Sequence, residues 1–560
     1  MNFFPGRFFA WSREKMATSV DGASLGFFRI VWGALMIVES LDRIPKATGL
    51  FSPDFFHFTH SLTPFVSPMP SNALVYVELW VMAFCALMVM IGFGFRIFNV
   101  GFGLLFTHLF LIEKVYYNNH FYLTCLLTLL LTFTSADRCF SVKSWLQRRK
   151  GIIKDEIPLW NLLILRYQVV VVYFFGAVAK FQGDWLLGEP LRHWMGTKTP
   201  ETLRPPMSYF PEVLQQEWFI WSLSYGGFFF DLVIGFLLLN RRTFWPAAGA
   251  ATFFHIMNNS LFKIGFFPVI GISLLAVFFQ PHWPRPVMAK ISRLFDRSEK
   301  SPKPKNVRRG KTTPAGDQLS GEPLANQQKS VTGPWITAFI FVYFAIQILV
   351  PLRTLRYGGD PSWAEVGHYF SWRMMLRDKD GYMKLFFNPP EAERLLEATD
   401  QLPRIGGSQV TTMVKNPHMI LQYVHALDET FKSLDLNGVE IRAVSIVSLN
   451  GRPFQLMIDP SVNLVEASYG FFEVPGWIIP LEPDQRPGLY PKSKSDRGEA
   501  INKVFKEEAV PVVKAIPRKK FSKPFEELLS EVEAKRQTPR KEKGGDVPEA
   551  SMESAIPGNE

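Results

Sequence analysis

The sequence predicts a polytopic α-helical membrane protein of about nine spans, with a C-terminal, mixed α/β soluble domain on the exoplasmic side. Three observations support that fold class. Eight long apolar runs lie between Ala23 and Gln280, and a ninth covers Pro334–Leu352; each is close to the ~18 residues that cross the hydrocarbon core of a bilayer. Of the 560 residues, 48% are hydrophobic and 52 are Phe, which suits surfaces packed against lipid and excludes a disordered or fibrous chain. After the ninth run the apolar blocks give way to short β-like stretches bounded by turn signals, the pattern of a domain surrounded by water.

In chain order, the spans fall near 23–40, 73–94, 96–115, 120–136, 159–179, 217–239, 243–259, 263–280 and 334–352. The opening MNFFPGRFFAWSREK is basic and aromatic, no cleavable signal peptide is expected, and the first run is long enough to remain as a span. Lys and Arg number 23 in the N-terminus and the loops after even-numbered spans, against 8 in the loops after the first, third, fifth and seventh. Positive charge collects on the cytoplasmic side. The N-terminus is therefore expected in the cytoplasm, and an odd span count carries the C-terminal domain to the opposite face. Residues 1–284 form the expected membrane catalytic domain. Residues 285–333, rich in Lys, Pro, Ser and Gly, read as a flexible cytoplasmic linker. The soluble domain is expected over 353–483, with strands at Val439–Leu449 and Phe454–Ile458 and a helix at Met419–Lys432. Residues 484–560 are charged and Pro-rich and read as a largely flexible tail, helical only at Phe525–Lys535.

The net charge of +11 invites a nucleic-acid reading, but much of the excess sits in short inter-helix loops, where it sets topology. Cys85, Cys125 and Cys139 are the three cysteines, all in or beside membrane spans, so no disulfide framework can staple the tail. There is no HExxH, CxxC pair, Walker loop or GxSxG, and no metal site is expected.

Ionisable residues inside spans are costly and draw attention to function. Arg29, Glu39, Glu78, Arg166, Lys180, Asp231 and His255 qualify. Most have a structural explanation: Arg166 can pair with Asp231, and Arg29 with Glu39 or Glu78, locking helices together. Lys180 ends the fifth span in GAVAKFQGDW. A Lys at a helix end can simply reach for headgroups. A Lys in an apolar pocket, however, gives up its charge readily, and a neutral amine is a competent general base. The residues alone leave both readings open. Two polar clusters fall at the same expected face, Tyr116–His120 and His255–Ser260. Capping and interface anchoring explain Asn, Ser and Tyr there, while His120, His255 and several Asn can equally donate hydrogen bonds to one buried ligand.

At these same segments the sequence resembles the vitamin K-dependent gamma-glutamyl carboxylase family. The similar stretches are DGASLGFFRIVWGALM, YNNHFYLTCLL, PLWNLLILRYQVVVVYFFGAVAKFQGDW, DLVIGFLLL and FFHIMNNSLFKIGFF, followed in the tail by HYFSWRMML, MILQYVHAL and VSLNGRPFQLMIDPSVNL. The resemblance runs from about residue 20 to about 482. It implies an integral membrane enzyme that uses reduced vitamin K (the hydroquinone), molecular oxygen and carbon dioxide, with its active site towards the lumenal or exoplasmic face. In that family a lysine deprotonates the hydroquinone, oxygen adds, and the strongly basic intermediate removes a γ-proton from a glutamyl side chain. The carbanion captures carbon dioxide and the vitamin becomes its epoxide. Lys180 matches the catalytic base. Asn119 and His120 match the NNH motif, His255 matches the His of FH-x-MN, and Asn258 joins them as a candidate hydroquinone-binding residue. The implied partners are the bilayer, a lipophilic quinol and a glutamyl peptide or protein.

The sequence also departs from the animal enzymes. Ala179 stands where they carry a second lysine, and Arg377 follows SWRMML where they have a His associated with carboxylation. Arg377 stays protonated, so its expected role is to hold the acceptor carboxylate or carbon dioxide. The chain is shorter after Leu481, where the animal enzymes engage the substrate propeptide. Three readings follow: the full carboxylase, a hydroquinone epoxidase that has lost the acceptor half, and a non-enzymatic carrier. The inverted repeats and broken helices typical of transporters are not evident.

Overall fold

Each apolar run forms a helix: Ala23–Arg43, Asn72–Ile91, Phe95–Ile112, Asn119–Phe133, Trp160–Lys180, Glu217–Leu239, Phe244–Leu261, Phe267–Leu274 and Pro334–Leu352, numbered here first to ninth. They come from a computed structural model that describes residues 13–262, 264–295, 333–387, 392–395, 403–433, 437–470, 473–482 and 494–516. Six are long and apolar enough to cross a membrane: the first, second, third, fifth, sixth and ninth. The fourth has 15 residues and the eighth 8, short of the ~20 that a full span needs. The seventh has 18 but ends in the polar run HIMNNS. The expected nine spans thus resolve into six long helices and three weaker apolar ones. Ile97, Leu104, Trp245, Phe253 and Trp335 point outward and are exposed, as a lipid-facing surface requires.

The expected ion pairs between helices do not form. Arg29 instead donates to the carbonyl oxygens of Val89, Met90, Ala136 and Phe140. The second helix ends at Gly92 in a left-handed cap, and the last carbonyls of a helix lack intrahelical partners; a buried guanidinium serves them. Glu39 pairs with Arg43 on its own helix and Glu78 with His108. Arg166 donates to the Val277 carbonyl, which leaves Asp231 for another partner.

The fifth and sixth helices pack closely. A Cβ at Gly235 would stand 2.9 Å from the Val170 Cα, so glycine is what lets the two backbones approach. That contact also fixes the position of Asp231, one turn before Gly235 on the same helix.

In the C-terminal domain, Lys379–Phe387, Ala392–Leu395, Ile441–Leu449 and Gln455–Leu456 form an antiparallel sheet in the order 392–395, 379–387, 441–449, 455–456. Alternation along the strands gives it two faces. One packs Met383, Leu385 and Phe387 against Met419, Tyr423 and Leu427 of the helix Pro417–Lys432. The other packs Phe386, Val444 and Ile446 against Ile501, Val504 and Val513. These last residues correct the expected tail: a helical segment runs from Lys494 to Ala515. Its apolar stripe is diluted by Lys and Glu on the outer face, which is why composition alone missed it. Likewise the expected linker opens with the helix Pro284–Phe295. Residues 296–332 of the linker, and the expected helix Phe525–Lys535, lie outside the described residues.

Candidate active site

The run VVVVYFFGAVA brings Lys180 to the end of the fifth helix. Lys180 is 6% exposed, and its Nζ donates to Asp231 Oδ2 at 2.5 Å. Asp231, on the sixth helix, lies against Gly176, one turn inside the end that Lys180 closes, so the pair joins the two helices near the end of the fifth. The Trp185 ring lies 5.2 Å from Nζ, within cation–π range, and its indole N–H is tied to the Ser224 carbonyl at 2.8 Å.

Two turns before Lys180, the Tyr173 hydroxyl meets His255 Nε2 at 2.8 Å. Gly176, between the two, lies against the Asp231 carboxylate. The His255 ring fits over Gly271, where any Cβ would collide with Nε2. His255 Nδ1 is buried and has no partner. His120 and His255 both stand by Phe267, with ring centroids 6.3 and 5.7 Å from it. Asn119 accepts from the Tyr117 hydroxyl at 3.3 Å and donates to the Arg373 carbonyl at 3.4 Å. Asn258, half-buried, lies one turn beyond His255, and its carbonyl accepts from Phe262 N–H at the helix end. Tyr173 thus ties His255 to the helix that carries Lys180, Phe267 stands beside both His120 and His255, and Asn119 is bonded to the C-terminal domain. Among the described residues, no hydrogen bond joins Lys180 directly to Asn119, His120 or His255.

The segment Ser371–Arg377 lies over this region. The Trp372 ring is 4.8 Å from Tyr122, Met374 reaches Gly176, and Leu376 packs with Ala179 and Trp185. Phe370, Trp372 and Met375 all have positive φ, a kinked path that sends alternate side chains to different pockets. Beneath the segment, Asp184 holds the C-terminal domain through Arg452, with oxygens at 2.6 Å, and through Asn450 at 2.8 Å.

Arg377 occupies a different cluster. It pairs with Glu365, which also takes Lys379 at 2.8 Å. Burial opposes the Arg377 charge, but Glu365 and Tyr369 outweigh it and raise its pKa. In the same region Lys114, just past the third helix, has its Nζ 2.8 Å from His418 Nδ1 and 4.4 Å from the Tyr369 ring. Burial pulls Lys114 down to about 7, and pulls Lys379 down to about 8 against the pull of Glu365. Among the described residues, no group of three His, Cys, Asp or Glu is placed to hold a metal ion.

A cavity of about 410 Å³ opens between the end of the fifth helix, the end of the ninth and the C-terminal domain, lined among others by Ala179, Gln182, Leu355, Asp360 and Arg373. Residues 18–283 match the HTTM domain family, and residues 332–484 match the lumenal domain of vitamin K-dependent gamma-carboxylase. The two matches support the vitamin K-dependent gamma-glutamyl carboxylase family. Together the two matches cover about three quarters of the chain and join a multi-pass membrane domain to a lumenal-type domain. No solved structure matches it.

Two residues at the site, Tyr173 and Arg373, carry no role in the sequence reading. A third, Asp231, pairs with Lys180 and not with Arg166, because linear order does not reveal how two helices are set against each other. Tyr173 lies in an otherwise apolar run; its spacing of seven from Lys180 was the available signal. Arg373 sits within SWRMML, four residues before the arginine that drew attention.

Proposed function

We propose that this protein is a vitamin K-dependent gamma-glutamyl carboxylase-type enzyme with Lys180 as the base. The observation that carries this reading is the buried Lys180–Asp231 pair at the end of the fifth helix. In this reading Lys180 acts as the neutral amine, with the single proton of the pair resting on Asp231 Oδ2. Nζ then takes a proton from the hydroquinone, and Asp231 orients the amine and shares the charge of the ammonium that results, as a buried carboxylate does for a catalytic imidazole. The fit of the quinol rests on the aromatic surroundings of Phe267 and Tyr173 and on His255 Nδ1, a buried polar atom without a partner. A flat apolar ligand needs apolar walls with a few polar groups, and these residues supply both kinds. Reduced vitamin K, when bound, supplies with oxygen the oxidative driving force for glutamyl deprotonation and leaves as its epoxide. Asn119, His120, His255 and Asn258 bind and orient it in this reading, and the segment ending at Arg377 serves the acceptor and carbon dioxide step. The lumenal-type domain faces the exoplasm and the N-terminus the cytoplasm.

A narrower reading, epoxidation without carboxylation, is favoured by one observation: Arg377, where the animal enzymes have a His, is engaged with Glu365. The two readings separate on incubation of the purified protein with hydroquinone, oxygen, labelled bicarbonate and a glutamyl peptide. Epoxide with label in the peptide supports the carboxylase, epoxide alone supports the narrower enzyme, and neither product refutes both.

A further inference from the structure

We propose that the cavity between the fifth and ninth helices is the acceptor subsite, and that Arg373 anchors the carboxylate of the glutamyl side chain there. This rests on the function proposed above and adds a location and an anchoring residue to it. The cavity borders Lys180 through its neighbour Ala179, and borders the NNH motif through the Arg373 carbonyl, which accepts from Asn119. A side chain entering it therefore arrives beside the region assigned to the quinol.

The charge pattern selects an anion. Arg373 is 8% exposed; its Nη2 donates to Gln182 Oε1 at 2.9 Å and Ser362 Oγ at 3.1 Å, and its Nε has no partner. Asp360, which also lines the cavity, forms an ion pair with Nη2 at 3.7 Å, longer than a good hydrogen bond, and its Oδ1 takes the Ser362 N–H at 2.7 Å. A guanidinium has five N–H donors in a planar fork that suits a carboxylate, so this one is buried with donors to spare. The other charges nearby are committed. Asp184 is held by Arg452 and Asn450, and Arg377 by Glu365. That leaves Arg373, rather than Arg377, as the cation facing the cavity. Two of its lining residues, Phe181 and Leu355, are 72% and 76% exposed, so the cavity opens to the outside of the protein, where a peptide can reach it. Holding the carboxylate on a cation also lowers the electrostatic cost of placing negative charge on the adjacent γ-carbon.

The test uses full-length protein in lipid nanodiscs without quinol, and two fluorescent blocked pentapeptides that differ only in Glu or Gln at two adjacent positions. The expectation is that wild type binds the Glu peptide more tightly. Arg373→Gln should weaken that binding at least about tenfold and erase the preference, since a hydrogen bond to a charged group is lost. Arg373→Lys, which keeps the charge but not the fork, should retain part of it. If thermal unfolding shows that the Gln variant is misfolded, the Lys variant decides: a preference reduced at least about threefold supports the anchor, and an unchanged one overturns it. Equal binding of both peptides by wild type, or a preference that survives Arg373→Gln, also overturns it. A preference without epoxide formation from hydroquinone would sink the enzyme reading and leave the subsite. Epoxide formation without a preference would do the reverse.

Discussion

Replacing Lys180 with Ala removes both the base and the partner of a buried carboxylate, and the two effects can be separated. A positioned general base contributes about 10²–10⁴-fold to a rate, so epoxide formation should fall by at least that much. The stability effect comes from Asp231, which is 3% exposed and bonded to Lys180 at 2.5 Å. Leaving one member of a buried pair uncompensated costs about 3–5 kcal/mol. Lys180→Ala should therefore also unfold at a lower temperature, and lost activity alone would prove little. The paired variant Lys180→Met with Asp231→Asn discards both charges, a change that is often neutral for stability. It should regain most of the unfolding temperature while remaining inactive. Asp231→Asn alone keeps an acceptor but no charge to support the ammonium, and should lose about tenfold or more, at ~1.5–3 kcal/mol for a charged hydrogen bond. The assays are chromatographic epoxide measurement and thermal unfolding of detergent-solubilised protein. A loss under tenfold in Lys180→Ala, or activity in the paired variant, would refute Lys180 as the base.

Other outcomes follow from the same geometry. Tyr173→Phe removes the hydroxyl bonded to His255 Nε2 and should raise the hydroquinone KM more than it lowers kcat; an unchanged KM would separate His255 from the quinol. Arg377→Ala leaves Glu365 with Lys379 alone, so it should lower the unfolding temperature yet weaken Glu-peptide binding less than Arg373→Lys does. Lys114 sits at about 7 when folded against an ordinary 10.5. Between those values the unfolded chain holds a proton that the folded one has released, so stability rises with pH, by at most ~1.4 kcal/mol per unit. Lys114→Met should flatten the rise measured between pH 7 and 9. A reporter fused to the C-terminus and active only in the cytoplasm should be silent, given the 23-to-8 distribution of Lys and Arg.

The sequence revealed the fold where a strong periodic or compositional signal exists. Apolar runs marked every helix that Phe, Leu and Val dominate, and turn signals such as LNGRP bracketed the strand Ile441–Leu449. It failed where only three-dimensional packing decides. A buried cation such as Arg29 suggests an ion pair, yet the end of the second helix offers the Val89 and Met90 carbonyls and the segment after the fourth helix those of Ala136 and Phe140. Asp231 was matched to Arg166 because neither the Gly235–Val170 contact nor the relative depth of two helices is written in linear order. At the candidate site, Lys180, the NNH motif and His255 stood out as polar groups in apolar surroundings. Arg373 did not, because nothing in SWRMML says which way a side chain turns on a backbone with positive φ at Phe370, Trp372 and Met375.

The central claim, that one enzyme couples quinol oxidation at Lys180 to carboxylation of a glutamyl side chain, is tested most directly by product stoichiometry. Purified protein would be given limiting hydroquinone, oxygen, labelled bicarbonate and excess glutamyl peptide, and epoxide and labelled carboxyl groups counted in the same samples over time. The account predicts that both products appear together in a constant ratio, and that both vanish in Lys180→Ala. Carboxyl label that accumulates without hydroquinone, or epoxide that forms at the wild-type rate in Lys180→Ala, would contradict it.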